Sequence, residues 1–523
     1  MLHRRHFLAG ATISGLAAPA ILRAQGYLRD YPFQLGVAAG DPASDGFVIW
    51  TRLAPEPLAL HGGMPRVNVP VEWEVASDGG FRNIVAKGTE LARPELAHSV
   101  HVELSGLQPN RPYYYRFTAA GERSLRGRAR TLPAIGARVD AIKFGVAGCQ
   151  HFEAGYFGAY RHLAKEDLAF VYHYGDFIYE YSSDYVFVDG LPSRPVRKHA
   201  FRSLTDVNEF RLAYAQQLTD IDLQAARSVH AFLSSIDDHE IVNDWVSDIA
   251  NWKMGLDGND PDAAPPEVFM LKKQAAMQAW YEHMPVRRAL LPRGGMVALN
   301  RELQVGDLLS MQLLDTRQYR DDQPCGDGFK PACPDVFAKN AQVLGAAQEK
   351  WLADQMKKGG AVWNGLAQQI TMMSLDRQRD MDDKRKILNL DSWAAYEAPR
   401  ERMLQRMAGL GNCVVLTGDE HQNFCGDLVL KDKVVGAEFV ATSISSGGDG
   451  SDKRAGTDQW LSRNPELKFA NDQRGYVICD VNRDAWQSHF RVVDKVSTPT
   501  NQISTRATGL VERDLTGIKM VEG

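Results

Sequence analysis

Cysteine is scarce in this chain of 523 residues: six in all, too few for a fold stapled together by disulfides. An excess of charge of one sign is missing too. Sixty basic residues stand against 65 acidic ones, a net of −5, which removes the bulk electrostatic case for a nucleic-acid-binding protein or for adhesion to anionic membranes. Beyond Ala24 no apolar run approaches the roughly 20 residues that a membrane-spanning helix needs, so no transmembrane segment is expected in the mature chain. Internal repeats and low-complexity tracts are absent as well. Hydrophobic residues make up 44% and charged residues 24%, which excludes disorder, collagen and coiled coil as descriptions of the whole. The length points to more than one structural unit, because single cores stop growing at about 250–300 residues.

What is present begins with an address. Residues 1–24 carry a basic start (His3, Arg4, Arg5, His6), an apolar stretch from Phe7 to Leu22 and small residues near Ala24, the layout of a signal peptide. Arg4-Arg5 followed by His6-Phe7-Leu8 resembles the bacterial twin-arginine export signal. The twin-arginine export machinery is therefore an expected partner, and the periplasm or the exterior the expected location. An uncleaved anchor is the competing reading; Gly10, Gly15 and Pro19, which interrupt the apolar stretch, speak against it.

Over 33–133 the pattern is short and alternating, with runs such as Gly46-Phe-Val-Ile-Trp50, Val69-Pro-Val-Glu-Trp-Glu-Val75 and Tyr113-Tyr-Tyr-Arg-Phe117 separated by turn residues. That pattern predicts a small all-β sandwich, and Leu107-Gln-Pro109 leading into Tyr113 is similar to the last part of a fibronectin type III domain. Over 138–510, buried-type strands (142–146, 169–174, 231–236, 308–314, 361–365, 413–417) alternate with helical stretches (156–166, 207–218, 268–283, 345–357, 398–408). Near-continuously apolar strands separated by helices predict a layered α/β unit. The Asp-, Gly- and Pro-rich stretch 255–266 reads as a surface loop.

Ligands of α/β sheets gather beyond the carboxyl ends of the strands, and here those ends are unusual. They read Ala147-Gly-Cys149, Gly175-Asp176-Phe-Ile-Tyr179-Glu180, Asp237-Asp238-His239-Glu240 with Asn243-Asp-Trp245, and Gly418-Asp419-Glu-His421. Taken singly, each has a plain explanation: Gly-Asp as a turn, Cys149 as a small buried hydrophobe. Together they offer carboxylates, a phenol, an imidazole and one thiol to one place, a set suited to a ferric or mixed metal centre. Adjacent Asp237 and Asp238 repel unless a cation or solvent intervenes. Cys325 and Cys333 bound a short polar loop, which reads as a local disulfide; an extra metal site is the alternative.

These strand ends look like the metallophosphoesterase core. The Cys149 and Tyr179 variants, together with Leu35-Gly-Val-Ala-Ala-Gly-Asp-Pro42, Leu314-Asp-Thr-Arg-Gln-Tyr319 and Asp391-Ser-Trp393, make the chain similar to the PhoD-like alkaline phosphatases and phosphodiesterases over most of its length. The resemblance implies a layered α/β metallophosphoesterase-like core, β-sheets flanked by helices, behind a fibronectin III/immunoglobulin-like sandwich. It implies Fe3+ and one or two Ca2+, with Zn2+, Mn2+ or Co2+ as alternatives. Carried over by position, Cys149, Asp176, Tyr179 and His421 would hold iron, Asp176 would bridge to calcium, and Asp238 and Asp419 would complete the calcium side. His239 is implied as a phosphate or leaving-group residue. Asp-Asp in place of Gly-Asn, and Gly-Asp-Glu-His in place of Gly-His-x-His, put carboxylates where the general motif has amide or imidazole groups, which favours calcium.

The implied activity is hydrolysis of phosphate monoesters or diesters by metal-activated water. Arg317, just past a strand, is a candidate phosphate clamp; an ordinary ion pair with Asp315 or Asp321 weighs equally. A phospholipase D-type phosphodiesterase, a non-catalytic exported metal-binding protein and a hydrolase using Cys149 as nucleophile are the other readings. Substrate access is expected to be set by the segments 185–201 and 319–337 and by the tail beyond Asp494.

Overall fold

The computed structural model describes residues 30–183, 195–250, 265–515 and 517–521. The export segment 1–24, most of the predicted loop 255–266 and the greater part of the access segment 185–201 lie outside the described residues.

In chain order, the N-terminal part carries β1 (Val37–Gly40), β2 (Val48–Arg52), β3 (Val69–Ala76), β4 (Ile84–Ala92), β5 (Ser99–Glu103), β6 (Pro112–Ala119), β7 (Glu122–Arg123) and β8 (Gly127–Arg130). The α/β part opens with β9 (Ala141–Ala147), α1 (Gly158–Leu163), β10 (Val171–His173), α2 (Val207–Leu218), α3 (Ile221–Val229), β11 (Ala231–Ser234) and α4 (Pro266–His283). It continues with β12 (Arg301–Val305), β13 (Leu309–Leu313), β14 (Phe329–Pro331), α5 (Gly345–Lys358), β15 (Trp363–Ala367), β16 (Ile387–Asn389), α6 (Glu397–Leu410) and β17 (Cys413–Thr417). The last elements are β18 (Asn423–Leu430), β19 (Lys433–Val440), α7 (Thr457–Arg463), β20 (Leu467–Asn471), β21 (Gly475–Asn482), β22 (Ala485–Val493), β23 (Ile503–Glu512) and β24 (Lys519–Val521).

Two large mixed sheets stack face to face. The first has ten strands in the order β24-β23-β22-β21-β9-β10-β11-β1-β2-β5, the second seven in the order β12-β13-β15-β17-β19-β18-β20. Each has a parallel centre, β9-β10-β11-β1 in one and β13-β15-β17-β19 in the other. Phe144, Val146, Tyr172, Met311, Val414, Leu416 and Phe439 fill the core between them. Helices α1–α4 cover the outer face of the first sheet with Tyr160, Phe210, Tyr214 and Trp280, while α5 and α6 cover the second with Leu352 and Met403. Both faces of both sheets are thus buried, which is why their central strands read as apolar runs rather than as alternation.

The N-terminal region is all-β, with β3, β4, β6, β7 and β8 in one five-stranded sheet. It packs against β1, β2 and β5 through Val71, Val75, Tyr115 and Phe117 on one side and Val37, Ile49 and Val102 on the other. Those three strands extend the ten-stranded sheet, with β1 pairing parallel to β11. The tail beyond Asp494, expected to help set substrate access, supplies β23 and the edge strand β24 of the first sheet. Apolar residues Ala507 and Val511 bury against the inter-sheet core, and that anchors the tail in the sheet. Cys325 and Cys333 are bridged, and the remaining four cysteines are free and buried. No helix among the described residues is long and apolar enough to cross a membrane.

Candidate active site

Strand ends of both sheets converge. β9 delivers Cys149, β10 delivers Asp176 and Tyr179, β11 delivers Asp237, Asp238 and His239, β13 leads into Arg317, and β17 leads into Asp419 and His421. Close approach of the two sheets is made possible by glycine on either side of the Tyr174 ring. A Cβ added at Gly148 or Gly418 would lie 2.3 or 2.2 Å from that ring. Four delivered residues hold left-handed backbone: Cys149 (φ 51°), Asp176 (53°), Asp419 (67°) and His421 (53°). Such conformations cost about 1–3 kcal/mol each for non-glycine residues and persist where the surroundings over-determine them.

Glu240 is one such determinant. Its buried carboxylate accepts from the N–H groups of Asp176 (3.1 Å), Phe177 (2.7 Å) and Asp237 (2.7 Å), tying two strand ends together. Burial pushes its pKa up to about 7 in spite of those donors. Ser446 is a second: its Oγ accepts from the His151 N–H (3.2 Å) and lies 2.8 Å from the Cys149 carbonyl and 2.6 Å from Tyr179 Oη. Arg474, fully buried, donates to the His421 carbonyl and fixes that loop from behind.

Three overlapping groups of ligand-type atoms result: Cys149–Asp176–His421, Asp176–Asp238–His239 and Asp237–Asp238–Asp419, with the atoms of each group within 4.8 Å of one another. Asp176 belongs to the first two and Asp238 to the last two. Tyr179 joins the first group, its hydroxyl lying 3.1 Å from Asp176 Oδ2 and 3.0 Å from His421 Nε2. Cys149 Sγ sits 3.2 Å from the same Asp176 oxygen. All six residues suggested as metal ligands, and both suggested as catalytic, are therefore brought to one place.

The electrostatics demand positive charge. Burial, and then the neighbouring Asp238 and Asp237, push Asp176 well above the usual carboxylate range. Asp419 is raised by burial and by Asp237 and Asp238. The Cys149 thiol is pushed up by burial and by Asp176, and Tyr179 by burial, Asp176 and Cys149. Asp237 Oδ2 is buried with no hydrogen-bond partner. Packed carboxylates, a thiol and a phenol raised together, and an orphaned carboxylate oxygen are the condition that bound cations relieve. The residues present thus fit a metal cluster, with the softer Cys149 and His421 at one end and oxygens at the other.

His239 is held by Glu180, whose Oε2 lies 2.8 Å from Nδ1, and its ring centroid lies 4.1 Å from that of Tyr179, the two planes tilted by 31°. Burial works against the imidazolium, but Glu180 and Asp238 outweigh it and bring the His239 pKa up to about 9. His421 is pushed down to about 3 by burial and by nearby Arg474. Arg317 is completely buried; Nε donates to Asp237 (2.6 Å) and Nη1 to Asp391 (2.7 Å). Its Nη2 has no hydrogen-bond partner and lies 3.8 Å from Asp238 and 3.7 Å from Asp419. Neither Asp315 nor Asp321 pairs with the guanidinium; Asp315 instead accepts from the Arg317 backbone N–H. The arginine is the internal countercharge of the carboxylate cluster. Arg317→Ala would strand Asp237, since Asp391 keeps Arg320 and Gln323, and we expect a stability loss of about 3–5 kcal/mol, read by denaturant unfolding of metal-depleted protein.

The glutamates and Ser446 escape a reading of sequence. Glu180 and Glu240 stand inside the motifs, but nothing in their spacing tells which groups they hold, and Ser446 arrives from a loop beyond β19. Asn423 is a structural residue, with Nδ2 donating to Asn471 (3.1 Å) and Oδ1 accepting from the Thr442 N–H (3.2 Å). A nucleophilic role for Cys149 has no support: its side-chain partner is the Asp176 carboxylate rather than an imidazole, and it is fully buried.

Two stacked sheets flanked by helices, with an acidic pocket where their strands end, define a phosphoesterase of the metallophosphoesterase fold. The purple acid phosphatase PPD1 from yellow lupin (Lupinus luteus) seeds shares that fold at 10% identity, with a TM-score of 0.52 over 91% of this chain and 74% of that one. The PhoD-like phosphatase family matches residues 144–490, and the PhoD-like phosphatase N-terminal domain matches 18–133. Alkaline phosphatase D of Bacillus subtilis (strain 168) is 44% identical, covering 99% of this chain and 89% of its own length. A solved structure of PhoD is 45% identical and superposes with a TM-score of 0.88 over 95% of this chain and 93% of that one. The chain belongs to the PhoD-like phosphatase family and is a hydrolase of phosphoric esters.

Proposed function

We propose that the protein is an exported, metal-dependent phosphoesterase whose reaction takes place at the Asp176 cluster. The observation that carries this reading is the sharing of Asp176 between a Cys149–His421 group and an Asp238–His239 group. Cys149, Asp176, Tyr179 and His421 would hold a ferric ion, and Asp176, Asp238 and Asp419 calcium; Zn2+, Mn2+ or Co2+ are the alternatives. Bound cations supply charge neutralisation of the phosphate and a water of lowered pKa. The chain does the rest. Asp176 and Asp238 fix the spacing of the two ends, Glu240 ties the backbones of Asp176 and Asp237 together, Arg317 holds the Asp237 carboxylate, and His239, engaged through Nδ1, has Nε2 for the leaving group. Water adds across the P–O bond: it gives up one proton to solvent and its oxygen bonds to phosphorus, the ester oxygen leaves with the electron pair and takes a proton from His239, and His239 regains a proton from solvent.

Chelation separates this reading from cysteine catalysis. Dialysis against EDTA should abolish activity and restored metal should recover it, while iodoacetamide on the holoenzyme should leave it intact. The opposite pattern would assign the chemistry to Cys149. Export rests on Arg4 and Arg5. In a bacterial host, the double variant Arg4→Lys, Arg5→Lys should leave the full-length precursor in the cytoplasm, as seen by fractionation and immunoblot; unchanged export would refute the twin-arginine assignment.

A further inference from the structure

Ser446 stands outside every strand-end motif, in the loop that follows β19, yet it meets the cluster at Tyr179. That loop is docked on the segment carrying Cys149. The Ile444 N–H donates to the Gly148 carbonyl (2.9 Å) and Ser445 Oγ to the His151 carbonyl (2.8 Å), while Ser443 Oγ donates to the carbonyl of Ser446 itself (2.7 Å). Ser446 is 2% exposed, and its Oγ accepts from the His151 N–H at 3.2 Å. Backbone contacts therefore fix where this hydroxyl sits.

Counting decides where its proton goes, because a hydroxyl carries one donor and two acceptor lone pairs. Two oxygens lie within reach, the Cys149 carbonyl at 2.8 Å and Tyr179 Oη at 2.6 Å. The carbonyl does not depend on Ser446 Oγ, since the N–H groups of Ser445 (3.4 Å) and Ser446 (3.3 Å) donate to the same oxygen. Tyr179 Oη has as its other neighbours Asp176 Oδ2 (3.1 Å) and His421 Nε2 (3.0 Å), both suggested ligands of the same ion. With a cation held by those atoms and by a deprotonated Tyr179, only Ser446 among the described residues has a proton left for the phenolate oxygen. A separation of 2.6 Å falls in the range of a hydroxyl donating to a charged oxygen. Burial strengthens the contact, as Tyr179 is 1% exposed.

We propose that Ser446 is a positioning residue of the metal centre: its hydroxyl donates to the Tyr179 phenolate and so sets how much electron density that ligand passes to a ferric ion. The inference rests on the ferric reading of the Cys149–Asp176–Tyr179–His421 group and adds a control that lies outside the ligands themselves. A hydrogen bond donated to a ligand atom draws charge from it, and contacts of this kind tune the potential of the metal. Ser446 thereby weakens the phenolate as a donor and raises the energy of phenolate-to-iron charge transfer. It also leaves the centre a stronger Lewis acid toward phosphate oxygens. Ser446 acts through Tyr179 and touches neither the substrate nor the bond that breaks.

Ser446→Ala removes the hydroxyl, and Ser446→Thr restores one. Both variants are compared with the wild-type holoprotein by iron content, visible spectrum and redox titration of the iron. Ser446→Ala should keep its iron, because all four ligand side chains remain, and its charge-transfer maximum should move to longer wavelength. The ferric form should be favoured over the ferrous about tenfold more than in the wild type, a midpoint lower by about 59 mV, as expected for loss of one charge-assisted hydrogen bond. In Ser446→Thr both readouts should return toward the wild type. A serine that merely supports the fold would leave band and midpoint in place, or release the iron when it is changed. Either result in Ser446→Ala, or a Ser446→Thr variant displaced as far as Ser446→Ala, would overturn the tuning role and leave the metal reading standing. A wild-type holoprotein with no iron-dependent visible band would overturn both.

Discussion

Asp176→Ala should yield a folded protein that no longer hydrolyses a model phosphodiester and no longer retains its metal. Asp176 is the one residue common to the Cys149–His421 and Asp238–His239 groups, and its two oxygens are the reference points for both: Oδ2 for Cys149 and Tyr179, Oδ1 for the His239 N–H at 3.3 Å. Among the described residues no other side chain belongs to both groups. Several kcal/mol of transition-state stabilisation would be lost, a rate reduction of about 10³-fold or more. Removing one of several mutually repelling buried carboxylates relieves strain, so the circular dichroism spectrum should be unchanged. Near-normal turnover by this variant would remove the cluster from the mechanism.

His239→Ala should cost about 10²–10⁴-fold in kcat, with a dependence on substrate that identifies the role. Glu180 and Asp238 raise the imidazole pKa to about 9 against burial, which suits the proposed role of an acid across neutral pH. An alkyl phosphate, whose alkoxide leaves poorly, needs that proton. A p-nitrophenyl ester does not, and its loss should be much smaller. Equal losses on the two substrates would mean that His239 positions the carboxylates rather than protonating the leaving group. Glu180→Gln should reproduce the alkyl-selective defect in weaker form, since it removes the charge that holds the imidazolium.

How much of this could be read in the sequence depends on where each element gets its order. Helix α2 begins at Asp206 with a capping box closed by Glu209, a signal contained in four adjacent residues, and the predicted span 207–218 coincides with Val207–Leu218. Strand β17 was equally legible, because Cys413–Thr417 is buried on both faces and flanked by Gly411 and Gly418. Predicted at 361–365, β15 runs instead over Trp363–Ala367, since its register is set by pairing to β13 and β17 and not by its own residues. Helix α3 went unread: its mixed composition hides a helix that Asp220 caps and that β1 and α1 pack against. Joining β1, β2 and β5 to the large sheet is a long-range pairing that no local pattern encodes.

The site followed the same rule. Cys149, Asp176, Tyr179, Asp238, His239, Asp419 and His421 stand in short motifs at strand ends, where residue type and position suffice to nominate them. Their supports do not. The carboxylate of Glu240 spans two loops, Ser446 comes from the far side of β19, and the partners of Arg317 are Asp237 and Asp391, 80 and 74 residues away, rather than the neighbours Asp315 and Asp321. Long-range charge balance appears only once the chain is folded.

Metal analysis of native protein, run alongside activity and the visible spectrum, tests the central claim most directly. The Asp176 cluster predicts at least two tightly bound cations per chain, one of them iron, a broad visible band from Tyr179 that disappears in Tyr179→Phe, and loss of ions and activity in parallel on chelation. A colourless protein, free of metal and fully active on phosphate esters, would contradict it.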